Sequence, residues 1–261
     1  MPTVSGSELV TALSAFIASF LSGLLGIGGG VVLTPLLLYL PPAIGIGALP
    51  VKIITGLTIV QAIFGSVLGA FRHRAYGNVS VRLVLTMGPT GAAASLLGAL
   101  VSRDVDDRVL LGIFALLAFA TAVLLLLPAE PQQTGKDDLH VNLPLAVGIS
   151  VVLGFLGGMV GIGGIATIIG ALVYLLRVPP RIAIGSSLGI GMFAAVAALI
   201  GKAATAQIDP PLAAIVALVA LVASPIGAWV SIRTQPQLLL RILAAVVIIA
   251  ALRMAASAVF G

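Results

Sequence analysis

The residues best placed to do chemistry in this chain are glycines and hydroxyls. Gly26-Ile27-Gly28-Gly29 and Gly161-Ile162-Gly163-Gly164 are two copies of one motif. Small-xxx-small spacing, Gly26 with Gly30 and Gly157 with Gly161, suits close helix packing. A glycine run can also break a helix, so that freed N–H groups and the helix dipole face an anion. A dinucleotide loop is a third role, because residues 161–166 fit the relaxed fingerprint. That loop needs a preceding strand in a soluble βαβ unit, which the surrounding sequence does not offer. Packing and an ion-facing break both stay open, and the two are compatible.

Polar side chains follow each glycine cluster, after a short insertion in the first half. Thr55 and Thr58 follow Lys52, Ser186 and Ser187 follow Arg181, and Gln61 adds an amide. Hydroxyls in such positions either bond back to the preceding helical turn or replace the hydration shell of a small oxyanion. Lys52 and Arg181 either snorkel and fix orientation or attract an anion to the mouth of a cavity. The expectation is an anion held between two broken helices near Thr55, Ser186 and Ser187. Arg253, inside the last apolar run, is read as snorkelling.

Absent residue types exclude other chemistry. There is no cysteine, so thiol nucleophiles, thiolate metal sites and disulfides are excluded. The two histidines, His73 and His140, leave little for a metal centre. His73 reads as part of a basic loop with Arg72 and Arg74. No Asp or Glu lies inside an apolar run, Glu8 being at the edge of the first, so carboxylate proton relays are missing. No Walker motif and no Ser/His/Asp or His/Glu constellation is present. An enzyme, a cofactor and a metal site are not expected.

The elements that must position these residues are membrane helices. Hydrophobic residues make up 60% of the 261 and charged ones only 8%, against about 25% in soluble domains. The 13 Lys and Arg outnumber the 8 Asp and Glu, but they are scattered singly between apolar runs. That pattern orients a chain in a bilayer and does not make a nucleic-acid surface. Ten apolar segments are expected, at 9–25, 31–40, 53–71, 81–101, 109–127, 143–160, 165–176, 182–200, 212–232 and 238–260. Eight reach the roughly 20 residues that a spanning helix needs. Segments 31–40 and 165–176 do not, and short segments must be broken or re-entrant. No basic n-region precedes the first segment, so no signal peptide is expected.

The chain is internally duplicated. Phe20 to Gly29 matches Phe155 to Gly164, and Tyr39 falls on Tyr174. Pro41-Pro42 answers Pro179-Pro180, Lys52 falls on Arg181, and Phe64 on Phe193. Gly88 to Ala92 is matched with Ser224 to Ala228. The fold expected is an all-α polytopic membrane protein: a first repeat at 1–127, a polar linker at 128–142 and a second repeat at 143–261. Five crossings per half, or three with a re-entrant pair, are both odd, so the halves are inverted repeats. Inverted repeats place a substrate site at their interface, built by discontinuous helices.

The duplicated Gly-x-Gly-Gly elements, each followed by a short apolar run and a proline turn, resemble the sulfite exporter TauE/SafE family. Ala183-Ile184-Gly185-Ser186-Ser187-Leu188 is similar to that family's second-half helix start, whereas Ile54-Thr55-Gly56-Leu57 departs from it. The resemblance implies a secondary transporter of the bacterial cytoplasmic membrane. Its substrate would be a small sulfur-containing anion such as sulfite, sulfoacetate or a related organosulfonate, exported by alternating access. The residues that would bind it are Gly26, Gly28, Gly29, Gly161, Gly163, Gly164, Thr55, Thr58, Ser186, Ser187, Lys52 and Arg181. The partners would be that anion and the lipid bilayer, with no nucleic acid. An anion channel and a non-transporting membrane scaffold are the alternatives.

Charge sets the orientation. Arg72, Arg74, Arg82, Lys136, Arg177, Arg181, Arg233 and Arg241 fall on one side, and Lys52, Arg103, Arg108 and Lys202 on the other. The richer side is cytoplasmic by the positive-inside rule, which leaves both termini outside. An impermeant maleimide applied to intact cells is therefore expected to label Thr3→Cys and to spare Gln133→Cys. Labelling of position 133 alone would invert the topology.

Overall fold

Nine helices account for the core of the computed structural model. It describes residues 6–25, 29–75, 77–126, 141–161 and 165–231, with 245, 248, 249, 252 and 253 of the last segment. The helices are α1 (Gly6–Leu25), α2 (Gly30–Ala43), α3 (Val51–Ala75), α4 (Val81–Val101), α5 (Asp107–Leu126), α6 (Leu143–Val160), α7 (Ile165–Tyr174), α8 (Pro180–Ala204) and α9 (Pro210–Ser231). Nine of the ten apolar runs thus become helices; the tenth falls almost wholly outside the described residues, as do the first 13 residues of the linker. Six helices, α1, α3, α4, α6, α8 and α9, are long and apolar enough to cross a bilayer. The chain is a polytopic all-α membrane protein.

Helices α2 and α7 are short, with 14 and 10 residues. At 1.5 Å per residue they reach roughly 21 and 15 Å, against about 30 Å of hydrocarbon. Each follows a helix that stops at a glycine cluster: α1 ends at Leu25 and α6 at Val160. Local chemistry explains several other ends. The Asn142 side chain accepts from Leu145 N–H at 3.1 Å and caps α6. The proline pairs differ in role. Pro179 caps α8 and Pro180 opens it, where a missing N–H costs nothing, whereas Pro41 and Pro42 lie inside the last turn of α2. The second half therefore has the expected proline turn, and the first half closes its helix on the prolines instead.

Polarity is distributed inside out. Leu9, Leu13, Phe16, Leu97, Leu116, Phe119, Leu218 and Val222 are exposed, while Ser19, Thr55, Thr58, Gln61, Ser95, Ser186, Ser187 and Lys202 are buried. An apolar exterior of this size is what lipid covers. Where hydrophobicity cannot drive helices together, close backbone approach must. Helix α4 lies between α6 and α8, α1 packs on α9, and α3 packs on α8. Gly158 sits on the Ser95 carbonyl and Gly98 on the Phe155 carbonyl; in the other pair, Gly23 sits on the Ser224 carbonyl and Gly227 on that of Phe20. Helices α3 and α8 run antiparallel, with Gly56 against Gln207, Gly69 against Leu188, and Gly185 against Asn78.

These contacts predict which glycines matter for stability. Gly98→Leu would drive a side chain into the α6 backbone, an overpacking loss of about 1–3 kcal/mol or more. Gly112→Ala on α5 meets nothing within 4 Å; removing a helical glycine there should raise stability by roughly 0.5–1 kcal/mol. Melting of the two variants in detergent is expected to move in opposite directions.

Candidate functional site

Helix α3 presents Thr55, Thr58 and Gln61 at a spacing of three residues, so they rise along one side of the helix over roughly 9 Å. All three are buried. Both glycine breaks come to this strip. Gly161, in the left-handed region at φ 79°, packs against the Thr55 carbonyl and the Thr58 hydroxyl. Gly29, at φ 69°, packs against the side chain of Gln61. With its amide turned to satisfy both neighbours, Gln61 accepts from Ser19 N–H at 3.0 Å and Ser19 Oγ at 3.1 Å. It then donates to the Gly29 carbonyl at 3.3 Å. The end of α1 and the start of α2 are thus tied to α3 through one amide. The end of α6, from the other half of the sequence, meets α3 about one turn away.

Below Thr55 lies a buried cation. Lys202, in the last turn of α8, is 0% exposed. Its Nζ donates to Thr55 Oγ1 at 2.9 Å, Ser102 Oγ at 2.7 Å, the Met159 carbonyl at 3.0 Å and Gln207 Oε1 at 2.8 Å. These acceptors come from α3, from the residue after α4, from α6 and from the loop after α8. Gln207 is positioned by the helix end itself. Its N–H donates to the Lys202 carbonyl at 2.9 Å, while Ala206 takes φ 53°, the bond pattern of a Schellman cap. Its side-chain amide donates to the Ala99 carbonyl at 3.2 Å and Thr205 Oγ1 at 2.6 Å. Met159 lies in the last turn of α6, whose carbonyls are those that a helix end frees for other donors.

The family model described as Sulfite exporter TauE/SafE matches residues 11–254. The chain belongs to this family. Its relatives include a probable membrane transporter protein of Methanocaldococcus jannaschii, 26% identical over 85% of both chains. Another, from Xylella fastidiosa, is 30% identical over 74% of this chain and 73% of its own. A third, from Bacillus subtilis, is 26% identical over 70% and 74%. No solved structure matches the chain. The TauE/SafE chain is therefore a membrane transporter by family and by relatives.

The sequence-based site is divided by the fold. Thr55, Thr58, Gly29 and Gly161 are brought together. Gly26, Gly28, Gly163 and Gly164 lie outside the described residues. Ser186 and Ser187 are buried but stand near the start of α8. Because α3 and α8 are antiparallel, that start faces the far end of α3, roughly 18 Å along the helix from Thr58. There Ser186 Oγ accepts from Ser80 N–H at 3.0 Å, and Ser187 bonds back to the Ile184 carbonyl at 2.8 Å. The fold thus brings neither Ser186 nor Ser187 to Thr55. Thr55 and Thr58 also bond back, to the Lys52 carbonyl at 2.8 Å and the Thr55 carbonyl at 2.9 Å, and only Thr55 additionally accepts from Lys202. The Lys52 ammonium donates to the Arg103 carbonyl, and Arg181 is exposed in the first turn of α8, so both stand at helix ends. Arg253 lies over the Tyr39 ring, 5.9 Å from its centroid.

Two assignments are corrected. His73 and Arg74 belong to the last turns of α3, and Lys202 to α8, where the apolar pattern had placed both stretches in loops. The signal was present: Gly201, Ala203 and Ala204 continue the small, apolar helix surface past Ile200, and a charge alone does not end a helix. Gln207 and Ser102 carried no signal, since each is isolated in sequence. Two apolar-lined grooves, of about 680 Å³ beside Tyr39 and Arg253 and about 270 Å³ beside Phe71 and Phe193, reach neither Thr55 nor Lys202.

Gly161 and Gly45 allow a controlled test. Both have positive φ, but a Cβ at Gly45 meets nothing within 4 Å. Gly45→Ala should cost about 1–2 kcal/mol, the left-handed strain alone. Gly161→Ala adds a collision with α3 and should lower the melting temperature further and reduce flux. Equal losses for both would show that the contact between Gly161 and Thr55 carries nothing.

Proposed function

We propose that this TauE/SafE chain is a secondary transporter that exports a small sulfur-containing oxyanion, such as sulfite or sulfoacetate, by alternating access. One observation carries the reading. Two helix breaks from opposite halves of the sequence meet on a buried polar strip of α3, inside a bundle whose exterior is apolar. Broken helices in a membrane are found where they line a substrate path, and polar groups at that depth are functional by default. The sulfur oxyanion comes from the family's description; buried hydroxyls, an amide and one ammonium are a donor set suited to such an anion.

The halves are inverted repeats on this reading, and several contacts support it. Gly56 meets the Gln207 carbonyl and Gly185 that of Asn78. Asn78 N–H donates to the His73 carbonyl at 3.0 Å as Gln207 N–H does to that of Lys202. Each of these pairs has the same sequence separation as Lys52 and Arg181. Ser95 and Gly98 pair with Ser224 and Gly227 at that same separation. This places the match about two helical turns later in α4 than Gly88 to Ala92. A shift of two turns keeps the same helix face, so both registers align small residues with small residues. Equivalent helices α3 and α8 are antiparallel, as inversion requires. The membrane is the bacterial cytoplasmic one with both termini outside. Burial of Lys202 removes one cation from the outer loops and widens the charge bias.

Proteoliposomes test the function. Sulfite or sulfoacetate inside is expected to accelerate uptake of the labelled anion from outside. Flux without that trans-stimulation would indicate a channel. No flux, and no melting shift with sulfite, sulfate, sulfoacetate or thiosulfate, would indicate a scaffold. Arg181→Gln should slow flux at low salt, with the deficit shrinking at high salt as screening rises. A deficit independent of salt would make Arg181 a direct ligand.

A further inference from the structure

We propose that Lys202 is the substrate-contacting cation of the transport path, held shut in this conformation by neutral oxygens that the anion displaces. The inference rests on the transporter reading above and names the donor of that set which meets the anion's charge.

The geometry is unusual for a structural lysine. Its four acceptors, Thr55 Oγ1, Ser102 Oγ, the Met159 carbonyl and Gln207 Oε1, are all uncharged. An ammonium has three N–H groups, so four acceptors at 2.7–3.0 Å cannot all be served at once. Burying a charge without a counter-charge is costly, and a fully buried lock is commonly built as well from apolar side chains. A cation kept in such a place is explained by an anion that visits it.

The supports of Lys202 can release it. Met159 lies one residue before the end of α6, in the turn whose carbonyls a helix end frees for other donors. Thr55, which also meets Gly161, comes from α3, and Ser102 follows the end of α4. Movement of the break relative to α3 therefore withdraws acceptors from the ammonium. An oxyanion entering the gap supplies oxygens that carry negative charge in their place, so the ammonium gains a Coulombic partner that its neutral acceptors do not provide. The equivalent position in the first half, by the repeat described above, holds His73. The scaffold is repeated, and the buried lysine stands at one end of it.

The chain has three lysines, Lys52, Lys136 and Lys202, so amine chemistry reads Lys202 directly in the unaltered protein. Purified protein would be treated with N-hydroxysuccinimidyl acetate, with and without sulfoacetate, chloride or phosphate, and acetylation at each lysine followed by peptide mass spectrometry. Lys202 is expected to react in the native protein, more slowly than in denaturant, and sulfoacetate is expected to slow it further while leaving Lys136 unchanged. Acetylation of Lys202 only in denaturant, or at a rate that no anion changes, overturns the inference. In parallel, Lys202→Met should weaken anion binding by about tenfold or more, the loss of one charge-assisted hydrogen bond. Lys202→Arg should retain part of it. A folded Lys202→Met protein that binds like the parent also overturns the inference, and if that variant does not fold, the acetylation result decides. Sulfite counterflow together with an unreactive Lys202 would leave the transporter reading standing and remove this one. Protection by chloride or phosphate, with no sulfur oxyanion transported, would keep Lys202 and replace the substrate.

Discussion

A peptide group in hydrocarbon has no water to turn to, and that constraint organises this molecule. A continuous helix meets it internally. A broken helix does not, so the break must be wrapped in other protein. Here the wrapping is α3. It lies against the Gly161 break through Thr55 and Thr58 and against the Gly29 break through Gln61. Everything around α3 follows from keeping those contacts dry. Its long neighbour α8 covers one side, and α8 in turn packs on α4. Glycines at the contacts let backbones approach to the distance at which carbonyls and Cα hydrogens touch. The same residue type therefore serves two purposes. At Gly29 and Gly161 it supplies a backbone angle, and at Gly98 or Gly158 it supplies only the absence of a side chain.

The buried polar groups are a consequence of the breaks and not an independent feature. Removing a helix turn exposes carbonyls and amides, and these need partners with matching chemistry. Gln61 can donate and accept at once, so a single amide joins Ser19 to Gly29. Lys202 can only donate, so it gathers acceptors, among them the Met159 carbonyl. The first arrangement is electrically neutral and complete. The second is centred on a basic nitrogen and has more acceptors than that nitrogen has protons. The two breaks are therefore covered by the same helix but left in different electrostatic states, and the difference lies in side chains, not in the path of the backbone.

Much of this was legible in the sequence because hydrophobic length and glycine position are one-dimensional signals. Segment 81–101 and segment 143–160 match α4 and α6 end to end, and the two segments too short to span are α2 and α7. The glycine clusters were recognisable because their motif repeats, and Thr55 and Thr58 because hydroxyls are uncommon in an apolar run. What was not legible depends on which helix lies opposite which. Ser186 and Thr55 looked like one site because each follows a cation by a few residues; antiparallel packing of α3 and α8 sends them to opposite ends. Lys202 looked like a loop residue because a charge is a reasonable place to end a membrane helix. It is instead covered by Thr55, Ser102 and Gln207, 147, 100 and 5 residues away in sequence. No local pattern encodes that meeting.

Repetition and its violation then have separate physical meanings. On the proposed two-fold relation, an ideally symmetric pair of repeats would offer outward-facing and inward-facing arrangements of equal energy. Such a device exchanges readily but has no preferred resting state. Each difference between equivalent side chains biases that balance by the differential stability it confers. The caps that end α3 and α8 are the same in hydrogen bonding, yet one carries Gly77 at φ 70° and the other Ala206 at φ 53°. The alanine is the more strained of the two. It sits directly before Gln207, which is bound to Lys202. The strained turn and the bonded lysine thus occupy the same end of the molecule, and the other end has neither. On the proposal that an anion displaces the neutral partners of Lys202, binding biases the two arrangements only by the difference in its affinity for them, and a feature present at one end alone is what makes such a difference.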